Sequence, residues 1–114
     1  MAIVWVRSCI YEEPLPRFEW DKHKDRRNRI KHGLDFGLAE SVFDDPFAIT
    51  YHDRYDEDEE RLRTIGSPGW LLTMLVVHAD REEAGEHVVR IISARKATPQ
   101  ERRTYEENRK KALF

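Results

Sequence analysis

The chain has 114 residues with 20 basic and 22 acidic side chains, a formal net charge of −2. This length suits one domain, which we predict over residues 17–114 after an amino-terminal extension at residues 1–16. The balanced charge excludes the globally basic profile of proteins dominated by phosphate binding, so any nucleic-acid contact needs a local basic patch. A single cysteine, Cys9, excludes an internal disulfide framework. The sequence contains no apolar run long enough for a membrane anchor and no basic leader typical of a signal peptide. We therefore expect a cytoplasmic protein.

The amino-terminal extension precedes one predicted strand and two predicted helices. Residues 1–16 carry a strand-like start that two prolines interrupt, which fits either an added edge strand or a disordered lead. Residues 18–20 alternate with aromatics on one face and predict a short strand. An exposed basic helix over 22–32 follows, between an N-cap at Asp21 and a stop at Gly33. Apolar residues at helical spacing over 36–43 predict a second helix.

The second half of the chain reads as an antiparallel meander of four strands followed by a helix. We predict strands over residues 47–52, 60–66, 70–79 and 88–94. The charged stretches 53–59 and 80–86 are predicted to be loops. Thr98 and Glu101 form a capping box for a closing helix that runs to about Lys111, with Tyr105 facing the core. The fold class is therefore α+β.

The sequence offers no pattern typical of a metal or cofactor site. No two of the five histidines have the helical spacing of a metal site, and there is no second cysteine. Glycine-rich phosphate loops and nucleophile elbows are also absent. We therefore predict no metal and no cofactor, and the remaining candidates for chemistry are cations.

Four arginines are the main candidates. Arg61 and Arg63 share one face of their strand, and Arg90 lies inside an otherwise apolar strand that ends near Arg95. An arginine in that setting must reach solvent, a carboxylate or a phosphate. If the two strands are close, the guanidinium groups can form a cluster suited to bidentate phosphate recognition. Lys31 and His32, at the end of the basic helix, can add a charge and a titratable group.

Simpler explanations remain open for each of these residues. Arg90 can pair with Glu60 or another carboxylate, and Arg61 and Arg63 can form a solvated strand face. The basic helix can be an ordinary charged surface. His32 can be a helix C-terminal cation that the macrodipole favours. Trp20 and Tyr105 are expected to be core aromatics instead of base-stacking platforms.

Over about residues 17–107 the chain resembles BrnT-like toxins of type II toxin–antitoxin systems. The order and spacing of the matching residues are specific as a set, and the segment 90–97 is the most characteristic part. The matching positions are residues 18–21, Lys24, Asn28, 31–33, Phe36, Ala39, Val42, Phe43, Asp45, Pro46, Glu60, Arg61, Gly66, 90–97, Glu101, Arg102 and Tyr105. The departures are the 16-residue lead and a longer stretch over 79–86 with extra acidic residues.

The resemblance implies a RelE-like fold and a ribonuclease that halts translation by cutting RNA. It also implies a BrnA-like antitoxin with a ribbon-helix-helix DNA-binding part. Toxin and antitoxin would form a hetero-oligomer that represses their own operator. Other readings are a non-catalytic module that binds nucleic acid or a partner, and an inactive toxin that survives as a co-repressor.

Together, the residues and the resemblance give one site hypothesis. A metal-free ribonuclease uses the RNA 2′-hydroxyl as nucleophile and needs a base, an acid and cations around the phosphate. The predicted phosphate cluster is Arg61, Arg63, Arg90 and Arg95. The predicted proton carriers are Glu60, His32 and Lys31. Further RNA contacts are assigned to Lys24, Arg27 and Lys96.

Overall fold

A computed structural model describes residues 15–70 and 72–113. Its strands are β1 (Arg17–Trp20), β2 (Ile49–Asp56), β3 (Glu59–Gly66), β4 (Met74–Glu83) and β5 (Glu86–Lys96). Its helices are α1 (Lys22–His32), α2 (Phe36–Glu40) and α3 (Pro99–Leu113), and a 3₁₀ turn at Ser41–Asp44 continues α2. The prediction for residues 1–14, an edge strand or a disordered lead, lies outside the described residues.

The five strands form one mixed sheet in the order β1-β5-β4-β3-β2. Strands β2 to β5 are antiparallel neighbours, whereas β1 pairs parallel to β5 with Arg17 opposite Val88. The α+β class is confirmed. The predicted four-stranded antiparallel meander differs in detail, because β1 joins the sheet as a fifth strand. No local pattern indicates a pairing between segments so far apart in sequence.

The predicted loops over 53–59 and 80–86 are wrong. In both places the strands continue into a two-residue turn, Glu57–Asp58 between β2 and β3 and Ala84–Gly85 between β4 and β5. All four turn residues have positive φ, between 51° and 82°. Positive φ at both central residues is the geometry of tight hairpins whose twist matches that of the strands. The charged residues that suggested solvated loops are instead the exposed ends of long hairpins.

The predicted strand over 70–79 begins later and ends later than expected. Residues Pro68–Trp70 form a turn in which Gly69 has φ 60°. Strand β4 starts at Met74 and is buried as far as Ala79, after which it is exposed to its end. Strand β2 likewise starts at Ile49, two residues after the predicted position.

The sheet separates two hydrophobic cores. The face covered by α1 and α2, here the α1 face, carries the larger core, in which Trp20 meets Phe36 edge-on at 6.2 Å. The opposite face, here the α3 face, carries Ile65, Leu75 and Tyr105. Trp20 and Tyr105 are therefore core aromatics, as predicted.

Asp45 ties α3 to the rest of the molecule. The Tyr105 hydroxyl donates to Asp45 Oδ2 at 2.6 Å, and the same oxygen accepts from the Ser67 backbone N–H at 2.8 Å. Burial, followed by this hydrogen bond, raises the pKa of the Tyr105 phenol to about 12. The closing helix is thereby fixed over only one end of the α3 face.

Helix α1 is fastened to the sheet by a buried asparagine and has little apolar anchorage of its own. The Asn28 amide nitrogen donates to Leu34 O at 2.8 Å and to Ala94 O at 2.7 Å, and its oxygen accepts from the Ala94 N–H at 3.1 Å. Strand β1 covers the outer edge of β5 only from Val88 to Ile91. Beyond it, Asn28 supplies the hydrogen bonds to the backbone N–H and C=O of Ala94.

None of the described helices has the length and apolar character needed to cross a membrane.

Candidate functional site

The four predicted arginines share the α3 face. Arg63 lies opposite Val77 in β4, and Val77 lies opposite Ser93 in β5. Arg95 lies opposite Leu75, a member of the α3-face core. Arg61 is two residues from Arg63 and therefore points to the same face. We call these residues, with Arg90, the arginine cluster: Arg61, Arg63, Arg90 and Arg95.

Glu59 joins the two strands that carry the cluster. Its Oε1 accepts a hydrogen bond from Arg90 Nη2 at 2.6 Å and one from Arg61 Nε at 3.2 Å. Two guanidinium groups, from β5 and from β3, thus converge on one carboxylate oxygen across the intervening strand. Arg61 also lies 3.3 Å from Asp56, and its side chain is only 14% exposed. The carboxylate partner of Arg90 is therefore Glu59 and not Glu60.

Glu59 is held in its charged form. The hydrogen bond from Arg90 is the largest cause of its lowered pKa, with the charges of Arg90 and Arg61 acting in the same direction against desolvation. A general base works best with a pKa near the working pH, so this carboxylate is suited to binding cations and poorly suited to taking a proton. Glu59 was not predicted as a site residue, because the strand was expected to begin at Glu60. Strand alternation from Arg61 would have found it.

Arg95 is fixed at the start of α3. Its guanidinium donates to both carboxylate oxygens of Glu101, at 2.8 and 3.0 Å. Glu101 also accepts from the Thr98 N–H at 2.8 Å, and the Glu101 N–H donates to Thr98 Oγ1 at 3.2 Å, which confirms the predicted capping box. Chiefly through the Arg95 bond, the pKa of Glu101 falls to about 2. The pKa of Arg95 is raised by the same contact.

Arg63 is the least constrained member of the cluster. Its guanidinium carbon lies 4.6 Å from the centroid of the Tyr51 ring, and its nearest carboxylate, Asp53, is 4.0 Å from Nε. Within the described part of the chain Arg63 donates no hydrogen bond, and its Nε is buried without a partner. Its outer end therefore has unused hydrogen-bonding capacity.

The predicted proton carriers do not join the cluster. Glu60 points to the α1 face, where its Oε2 lies 2.9 Å from His52 Nδ1. Lys31 and His32 are in the last turn of α1. They line a shallow groove between α1 and the edge of β5, here the α1 groove: Lys24, Arg27, Asn28, Lys31, His32, Ile92 and Ser93.

The predicted RNA-binding residues are divided between two places. Lys24 and Arg27 line the α1 groove, whereas Lys96 borders a separate polar pocket near Arg102 on α3. The α1 groove reaches the arginine-bearing face at one point, because Ser93 lines the groove and also lies opposite Val77 on the α3 face. The structure thus gives two basic surfaces that adjoin at Ser93 in β5.

A buried histidine that the sequence analysis did not single out lies on the α1 face. His78 Nε2 is 2.7 Å from Thr64 Oγ1, and His78 Nδ1 is 2.6 Å from Asp80 Oδ1, while Asp80 Oδ2 is 3.0 Å from His87 Nε2. Burial raises the pKa of Asp80, but the two histidine contacts outweigh it and the net shift is downward. Phe43 packs edge-on against His78, so this chain of polar groups starts in the core at Thr64 and His78 and reaches the surface at His87, whose side chain is 48% exposed.

No three His, Cys, Asp or Glu side chains are grouped as a metal site within residues 15–70 and 72–113. The chemistry that the described residues offer is that of cations. It consists of two guanidinium groups that converge on one carboxylate oxygen, two further arginines on the same face, and a second basic groove beside them.

Comparison with known proteins identifies the family of the chain. A family model described as the ribonuclease toxin BrnT of type II toxin–antitoxin systems matches residues 20–101. The crystal structure of the Brucella abortus ribonuclease toxin BrnT is similar at 27% identity and a TM-score of 0.52, covering 74% of this chain and 99% of that one. A search of curated proteins found no match. The resemblance in the sequence is confirmed: the chain belongs to the BrnT family of ribonuclease toxins of type II toxin–antitoxin systems.

Proposed function

We propose that the arginine cluster binds the phosphodiester of single-stranded RNA and that the chain cuts this bond without a metal ion. The observation that carries the proposal is the pair of hydrogen bonds from Arg61 and Arg90 to one oxygen of Glu59. A carboxylate and a phosphate present the same kind of paired anionic oxygens to guanidinium groups. A position that already holds one anion between two strands is suited to hold another.

The reaction follows from RNA chemistry. The 2′-oxygen attacks the adjacent phosphorus while the bond to the 5′-oxygen breaks, which yields a 2′,3′-cyclic phosphate and a 5′-hydroxyl. One proton leaves the 2′-hydroxyl and one reaches the departing 5′-oxygen. Guanidinium groups stabilise the charge that develops on the phosphate oxygens, and each such donor contributes about 3 kcal/mol. The nucleophile belongs to the substrate, so the protein has only to supply charge and proton transfer.

Among the three predicted proton carriers, we assign the role to His32. Imidazole is the side chain best suited to exchange protons near neutral pH. Glu60 lies on β3, two strands from β5, and is paired with His52. His32 lines the α1 groove, whose Ser93 wall adjoins the arginine-bearing face. In this arrangement Lys24, Arg27 and Lys31 hold the backbone of the RNA strand as it passes over the edge of β5, and Lys96 contacts it farther along.

Membership of a type II family implies an antitoxin partner. We propose that it is BrnA-like, with a ribbon-helix-helix part, and that the hetero-oligomer represses its own operator in the cytoplasm. Free toxin would stop translation by cutting RNA.

The test is cleavage of RNA by purified, antitoxin-free protein in the presence of a chelator. The wild-type chain is expected to produce fragments that end in a 2′,3′-cyclic phosphate. Arg90→Ala should lower the rate at least about 100-fold, the usual effect of losing one transition-state donor. Arg103→Ala, an exposed residue of α3 outside the cluster, is the matched control and should cut normally. Normal cutting by a folded Arg90→Ala protein would remove Arg90 from the site.

A second candidate is a chain that binds its partner and operator complex without cutting RNA. The observation favouring it is that Arg61, Arg90 and Arg95 each already have a carboxylate partner. In that case the same assay would show RNA bound and intact, while co-expression with the antitoxin would still repress the operator.

A further inference from the structure

A small polar pocket lies beside the arginine cluster, between the β2–β3 hairpin and the first turns of α3. Its lining is Tyr51, Arg63, Thr98, Gln100, Glu101 and Thr104. The pocket shares Arg63 with the cluster, and its wall at Glu101 is the partner of Arg95. It therefore opens onto the same surface as the proposed phosphate position.

Several polar groups in this pocket have no hydrogen-bond partner among the described residues. These groups are the Tyr51 hydroxyl, the Gln100 side-chain amide and the outer end of the Arg63 guanidinium. The surrounding frame, in contrast, is firmly held. Glu101 is bound by Arg95 and by the Thr98 N–H, and Thr104 donates to Gln100 O at 3.1 Å. Free donors and acceptors in a fixed frame are what a specific polar ligand requires.

The charges favour a neutral ligand over a second phosphate. Glu101 is ionised because the pKa of its carboxyl is about 2, and Asp53 lies 4.0 Å from Arg63 Nε. Each of these carboxylates has an arginine partner of its own, Arg95 for Glu101 and Arg54 for Asp53, but a second phosphate at Arg63 would still have to pack beside both of them. A flat ring gains more, because the guanidinium stacked on Tyr51 presents a planar surface of the kind on which RNA bases stack.

We propose that this pocket holds the nucleobase next to the scissile phosphate and thereby sets the sequence preference of cleavage. The base stacks on Arg63 above Tyr51, and the Gln100 amide and the Tyr51 hydroxyl read its edge. Arg61 and Arg63 are two positions apart on one strand face, about 7 Å. That spacing fits a nucleotide whose phosphate lies between Arg61 and Arg90, so that within the arginine cluster Arg63 holds the base and not the phosphate. The inference rests on the proposed function, because it takes single-stranded RNA as the ligand.

A binding experiment tests the pocket independently of catalysis. Short homo-oligonucleotides of A, C, G and U with 2′-O-methyl groups lack the attacking hydroxyl and stay intact. Wild-type protein is expected to bind one of them about tenfold more tightly than the weakest, the effect of one well-read base edge. Gln100→Ala and Tyr51→Phe should bring the four affinities within about twofold of one another while the protein stays folded. Glu107→Ala, an exposed residue farther along α3, should keep the wild-type order.

The outcomes separate this inference from the proposed function. Equal binding of all four oligonucleotides by the wild type, or an unchanged preference in both pocket variants, would overturn the pocket assignment even if RNA is cut. Base-selective binding that the variants abolish would support the pocket even if the wild type leaves natural RNA intact. Where RNA is cut, the nucleotides flanking the cleavage sites should change in Gln100→Ala in the same direction as its binding preference.

Discussion

Two residues of the family signature, Asn28 and Gly66, owe their identity to packing. Asn28 makes all three of its hydrogen bonds to backbone groups, two of them across to β5. Gly66 passes so close to Val42 that an added Cβ would lie 2.7 Å from its Cγ1. Both residues therefore hold helical segments against the sheet. This packing role accounts for the residue type at each of the two positions, and neither needs a catalytic role.

Replacing Asn28 by aspartate tests whether its hydrogen bonds hold α1 against the sheet. Asn28→Asp removes the amide donor and turns a carboxylate toward the carbonyls of Leu34 and Ala94, so we expect a loss of about 2–4 kcal/mol in the free energy of unfolding. Chemical denaturation followed by circular dichroism gives the value. Asn108→Asp is the control, since Asn108 makes one long bond of 3.4 Å to Phe47 O, and it should cost under about 1 kcal/mol. Equal losses in the two variants would contradict the anchoring role.

At the same scale, the sequence predicted the arginines of the site better than their acidic partners. The alternation of strands was enough to place Arg61 and Arg63 on one face, and an arginine in an apolar strand pointed to Arg90. Glu59 was missed because a carboxylate in an acidic run looks like loop. Glu60 was chosen in its place, although strand alternation turns it away from Arg61.

Among the elements, α3 shows how a local signal and a distant contact reinforce each other. The capping box was predicted from Thr98 and Glu101 alone. The bidentate bond from Arg95 to the same carboxylate joins the end of β5 to the helix and needs three-dimensional structure to be seen. For the hairpin turns, in contrast, the local sequence pattern gave the wrong prediction. Glu57 and Ala84 adopt positive φ although their residue types rarely do, so composition indicated loops where the backbone forms tight turns.

The Glu101 contacts predict a specific dependence of stability on pH. The pKa of Glu101 is about 2 in the folded chain, below its ordinary value of 4.5. A lowered folded pKa adds stability that is fully present above pH 4.5 and is lost as the pH falls toward 2. Glu101→Gln should therefore melt at a lower temperature than the wild type at pH 6. The difference between the two melting temperatures should become smaller as the pH falls from 4.5 to 2. Thermal unfolding at several pH values measures this, and a difference that stays constant with pH would refute it.

Over the whole molecule, a net charge near zero conceals a separation of charges. The arginine cluster and the α1 groove concentrate cations on two adjoining surfaces, while carboxylates such as Glu59 and Glu101 neutralise the cluster from within. In the proposed function, an RNA phosphate competes with Glu59 for Arg61 and Arg90. The composition of the chain cannot reveal this, because only the fold brings the two signs together.

This competition predicts that removing the internal carboxylate strengthens RNA binding. Glu59→Gln should bind single-stranded RNA about fivefold more tightly at low salt and make the dependence of log K on log salt steeper by about 0.7. Fluorescence anisotropy across a salt series measures both quantities. Asp58→Asn removes one charge from the adjacent turn, where asparagine tolerates the positive φ, and should change affinity much less. Weaker binding by Glu59→Gln would mean that Glu59 holds the arginines ready for RNA instead of competing with it.

The place of β5 in the sheet has a consequence during synthesis. Among the described strands it is the last in chain order, yet it separates β1 from β4 and receives the Asn28 anchor of α1 at Ala94. A nascent chain that stops before β5 has no partner for its first strand and no docking edge for its first helix. It also lacks Arg90 and Arg95. A chain that ends before β5 therefore has neither the complete sheet nor the pair of guanidinium groups that meet at Glu59.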